Sequence, residues 1–190
     1  PETKLADFQK FLEPVQIERI NRDRKEVEKL NDLLVSLGVP ELDFDQDVLA
    51  ISEAADGGSV TERHILYALA LKLIQAHGRG QPLVDFVEQR MQIPLTANLR
   101  VLLVDGNNPH LAYDLLGVFK SALVPEFFLR SGHDECMSVY EAVRFANEMG
   151  AIPAYAYLGD VGDSATGDKK KEKFEDDFLD ELVPELTDIG

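Results

Sequence analysis

Ile17, Ile20, Val27, Leu30, Leu34 and Leu37 recur at three-, four- and seven-residue steps, which places them on one face of an α-helix. A chain with such a stripe must cover it, and the stripe ends where Gly38 and Pro40 interrupt the helix. Glu18, Arg22, Lys25, Glu26 and Lys29 lie on the opposite face and mix both charges, the pattern of a solvated surface. The same logic continues through the first 95 residues. A second helix is predicted from about Asp45 to Ala55, stopping at Gly57-Gly58. Ser59-Val60-Thr61-Glu62 has capping-box spacing and opens an apolar helix from Val60 to Ala76, closed by Gly78. Pro82 opens another helix to about Met91. The links between these helices are short, which favours antiparallel neighbours.

The second half mixes periods. The apolar run from Leu99 to Val104 suits strand or helix, and its helical surroundings favour helix. Asn108-Pro109 reads as a helix start leading through Leu111, Leu115, Val118 and Phe119, with Pro125 as its end. Ser138-Val139-Tyr140-Glu141 is a second capping box, and Gly150 closes its helix. Residues 151–158 (AIPAYAYL) lie between Gly150 and Gly159 and form the best strand candidate. A last helix is predicted from about Asp168, with Phe174, Phe178, Leu179 and Leu182 on one face and Pro184 kinking or stopping it.

Charge and cysteine content narrow the function. The 190 residues carry a formal net charge of −16, which argues against a duplex-DNA binder because phosphate neutralisation needs a basic face. The Lys169-Lys170-Lys171 run is too short, and too diluted by acids, to supply one. A lone Cys136 excludes an internal disulfide framework and fits a reduced cytoplasmic setting. No apolar run reaches the ~20 residues of a membrane helix, and no signal peptide is visible. The chain begins at Pro1 and stops at Gly190 just after an apolar-periodic segment, so the natural chain is expected to continue in both directions.

The loop from Gly159 to Asp168 follows the strand candidate, where α/β folds place ligand sites. Gly162 and Gly167 have phosphate-loop spacing, but Asp168 stands where that loop needs Lys, so a nucleotide P-loop is rejected. Asp160, Asp163 and Asp168 are either hard oxygen ligands for a divalent cation or turn and cap residues favouring the next helix. The four histidines form no metal-binding pair. His64, beside Arg63, either faces a cleft or covers a helix end. His133-Asp134-Glu135-Cys136 reads as a polar loop before a helix.

Several of these segments together resemble the PHP (polymerase and histidinol phosphatase) family of metal-dependent phosphoesterases. They are Glu18-Arg19 through Lys29-Leu30-Asn31, Leu37-Gly38, Thr61-Glu62-Arg63-His64-Ile65, Tyr140 to Met149, Gly150-Ala151 and Ala156-Tyr157-Leu158-Gly159. The likeness spans about residues 17 to 160 and is closest to members acting on nucleotide or RNA 5′-phosphates. Tyr157 stands where the family has a metal-ligating His, Arg63 is one position closer to His64 than in the family pattern, and the remaining family ligands are absent. The resemblance implies a mainly α segment: a helical insertion subdomain over 1–95, then a partial α/β unit of a (β/α) barrel over 96–190. It implies hydrolysis of a phosphate ester, of a phosphorylated small molecule or nucleotide, by a water activated by Mn, Fe or Zn. Arg63 and His64 would contact the phosphate and Asp160 would border the metal. The rival implication of Tyr157 is a non-catalytic helical interaction module. An isolated strand edge would be covered, or paired between chains in a homo-oligomer.

Overall fold

The computed structural model describes residues 2–157 and 176–189, and it is mainly helical. The chain divides into two compact units, one ending at Cys136 and the other beginning at Met137. The helical unit thus continues well beyond residue 95, because the helices after that point share its core.

In the first unit, α1 (Glu2–Leu34) buries Val27, Leu30 and Leu34, as its stripe requires, while Ile17 at the same spacing stays half exposed. A single 3-10 turn (Val35–Leu37) follows, and Gly38 ends it at φ +78°, a conformation that suits a residue without Cβ. The helix expected over 45–55 does not form as one piece. A π turn (Phe44–Val48) and two 3-10 turns (Leu49–Ile51 and Ala54–Asp56) replace it. Tertiary ties decide this local outcome. Asn31 holds both the N–H and the C=O of Leu42 at 2.9 Å, and Lys72 pairs with Asp47 at 2.7 Å, while Phe44 and Val48 sink into the core.

Helix α2 (Glu62–His77) is the centre of the unit, burying Ile65, Leu66, Leu69 and Leu73. It packs chiefly on α5 (Leu111–Phe127), whose Leu111, Leu115, Phe119 and Phe127 are fully buried. Each such side chain contributes roughly 1.5–3 kcal/mol on burial. Between them lie α3 (Gln81–Asp85), opened by Pro82 as expected and running into a π turn, and α4 (Ala97–Val104). The Leu99–Val104 run is therefore helical. Two boundaries of α5 differ from expectation. Asn108 is buried instead of capping, donating to Leu102 O and Asp114, so the helix starts at Leu111. Pro125 lies inside the helix because it forfeits a single amide bond, and the last turn closes through Phe128 N–H to Val124 O at 3.0 Å.

The second unit contains α6 (Val139–Met149) and α7 (Leu179–Ile189). The capping box of Ser138 with Glu141 and the left-handed Gly150 stop are both as expected. The expected strand is not. Residues 151–157 form no helix and join no ladder, and no strand occurs among the described residues. Pro153 lacks an amide in the middle of this run, and a strand exists only against a partner. Pro184 does not stop α7, which runs through it to Ile189. The predicted start of that helix near Asp168, with Phe174, lies outside the described residues, as do Leu158 and the loop carrying Asp160, Asp163 and Asp168. Neither α6 nor α7 contains a buried residue.

Candidate functional site

The sequence-predicted residues fall in separate places. Arg63 is exposed in the first turn of α2. His64 is half-buried, and its Nδ1 accepts the Thr61 N–H at 3.1 Å. Thr61 and His64 therefore form the capping box of α2, where Ser59 and Glu62 were expected; the helix starts two residues later than that spacing implied. A ring nitrogen that accepts a backbone N–H carries no proton of its own, which fixes the His64 tautomer while the bond lasts. Tyr157 donates its hydroxyl to Asp176, and Asp160 lies outside the described residues.

A cluster not foreseen from the sequence lies where residues 128–136 meet α1. Asp23, Glu26 and Glu135 are buried there, with Arg22 largely covered. Glu26 Oε1 accepts the Leu129 N–H at 2.9 Å, while Arg22 Nη1 donates to the Leu129 carbonyl at 3.1 Å. Two α1 side chains thus satisfy both polar backbone groups of the half-buried Leu129. Arg22 also stands 3.1 Å from Glu135 Oε1, and Arg19 lies 4.0 Å from Glu135 Oε2. Arg22 and Glu26, expected on a solvated face, are therefore covered, because residues 128–136 lie across that part of α1.

Three carboxylates here face two guanidinium groups, an excess of one negative charge. Burial pushes Asp23 up to about 7, a rise that Arg22 opposes and that Glu26 and Glu135 reinforce. Burial also raises Glu26, against the Leu129 hydrogen bond and Arg22, with Glu62 and Glu135 adding to the rise. A proton on Asp23 cancels the excess charge. Asp23 Oδ2 and Glu26 Oε2 have no hydrogen-bond partner, so the cluster holds acceptors that a proton would help to satisfy. Beside it opens a pocket of about 310 Å³ whose polar lining includes Glu18, Arg22, Lys25, Arg130 and Glu135. One sequence signal pointed to this cluster: the apolar stripe skips a turn between Ile20 and Val27, and Asp23 fills the gap.

The described residues do not fit a divalent-metal centre: among them no three His, Cys, Asp or Glu side chains converge to hold an ion. Comparison with family profiles, curated proteins and solved structures found no match to this chain. No helix among the described residues is long and apolar enough to cross a membrane.

Proposed function

We propose that the chain is a segment of a PHP-like, divalent-metal-dependent phosphoesterase in which the helical unit recognises substrate and does not itself break the ester bond. Its substrate is a phosphorylated small molecule or nucleotide. The order of elements supports this reading: a long stripe-bearing helix, a helix opening on Arg63-His64, then a capped helix and an irregular segment that includes Tyr157. The observation that carries it is the exposed position of Arg63 in the first turn of α2, where the helix N-terminus also favours an anion. His64 orders that turn. Metal ligation falls to positions outside the described residues, Asp160 among them. The test is hydrolysis of nucleoside monophosphates and p-nitrophenyl phosphate by the chain after loading with manganese, iron or zinc, together with its metal content after desalting. Turnover that falls about tenfold in Arg63→Ala supports the reading. Unchanged turnover removes the role of Arg63, and no retained metal with no turnover removes the catalytic reading.

A non-catalytic interaction module is the second reading, and the Tyr157–Asp176 hydrogen bond favours it. A phenol with an ordinary pKa near ~10 is a poor divalent ligand, and this hydroxyl already donates to a carboxylate.

A further inference from the structure

The two described helices of the second unit are strongly two-faced, yet no residue of either is fully buried. Val139, Val143 and Ala146 of α6, Tyr155 of the segment that follows it, and Leu186 and Ile189 of α7 line an apolar groove of about 400 Å³. Val139 and Tyr155 are 43% and 49% exposed, and Val183 on α7 is 55% exposed. Groups of this size left in water mark a binding surface when they are contiguous.

Charge selects the occupant. From residue 137 onward the sequence holds thirteen acids against five bases, and α7 itself carries Asp180, Glu181, Glu185 and Asp188 and no base. At about 100° per residue, Leu179, Leu182, Val183, Leu186 and Ile189 fall on one arc of α7, and Asp180 and Glu185 flank it on either side. A second copy of this chain would bring the same acids against these and be repelled. We infer that this groove docks a cationic amphipathic helix, with apolar side chains at i, i+3 or i+4, and i+7 seated between α6 and α7 and Lys or Arg reaching Asp180 and Glu185. Helix α6 is 11 residues long, about 16 Å, enough to seat roughly three turns of a partner. The inference uses the second unit alone and stands whether or not the chain hydrolyses phosphate esters.

The whole chain is titrated, by fluorescence anisotropy, with a labelled 18-residue Leu/Lys peptide of amphipathic helical pattern. The control peptide has identical composition with its leucines spread around the helix. Saturable binding of the patterned peptide, at least about tenfold tighter than the control and weakened by salt, is expected. Val143→Glu should weaken it about tenfold with the far-ultraviolet circular dichroism unchanged. Asp180→Lys/Glu185→Lys should lose the cationic peptide and gain a Leu/Glu peptide of the same pattern, a reversal that misfolding cannot produce. Equal binding of both peptides, no effect of either variant, or concentration-dependent dimerisation abolished by Val143→Glu would overturn the inference.

Discussion

The two units of this chain spend the same apolar vocabulary differently. In the first, α2 and α5 submerge Leu66, Leu69, Leu73, Leu115 and Phe119 completely, so their stripes are consumed by one another. In the second, α6 and α7 are more sharply two-faced, yet their apolar side chains are at most partly covered. Amphipathic periodicity therefore fixes the element and the face, but not whether the face is covered from within the unit. Stability and binding are expected to separate along this division.

The largest effect should come from Phe119→Ala, which opens a cavity against α2 and should cost about 3–5 kcal/mol in denaturant unfolding. A loss below about 1 kcal/mol would mean that the α2–α5 contact does not hold the unit together. Arg22→Ala should cost about 3 kcal/mol, because it removes the nearer counter-charge of Asp23 and Glu135, leaving only Arg19 at 4.0 Å from Glu135, and takes a donor from the Leu129 carbonyl. A neutral result would show that the carboxylate cluster is already hydrated.

Asp23→Asn sharpens the same point through pH. The folded-state value of about 7 lies above the ordinary 3.8, so the folded chain holds a proton that the unfolded chain releases. The stability from this group is full below about pH 4 and is lost as pH rises to about 7, at roughly 1.4 kcal/mol per unit. Asn should flatten that slope and leave the variant more stable than wild type at pH 8. An unaltered slope would assign the proton to another group. A smaller change, about 0.5–1 kcal/mol, is expected for Thr61→Ala at the start of α2. Val143→Ala on the open groove should change stability by no more than about 0.5 kcal/mol.

Legibility in the sequence followed the range of the interactions. The α1 stripe, Gly38, Gly78, Pro82, the Ser138–Glu141 box and Gly150 act within a few residues, and all appear where their local chemistry puts them. The 45–55 segment depended on Asn31 and Lys72 reaching across the fold, and the start of α5 on Asn108 bonding Leu102 and Asp114, six residues to either side, in place of a cap. AIPAYAYL has strand composition, yet a strand is a pair property, and no partner strand occurs among the described residues. The Asp23–Glu26–Glu135 cluster joins residues more than a hundred positions apart. Only the missing apolar residue between Ile20 and Val27 hinted at it.

The central contrast, a self-sufficient first unit and a second whose apolar face awaits a partner, is tested most directly by native-state hydrogen exchange on the whole chain. The amides of α2 and α5 should exchange only through global unfolding. Those of α6 and α7 should exchange through local opening at much lower free energy, and slow when the cationic amphipathic peptide is added. Equal protection of α6, α7 and α2 without any partner would contradict the account.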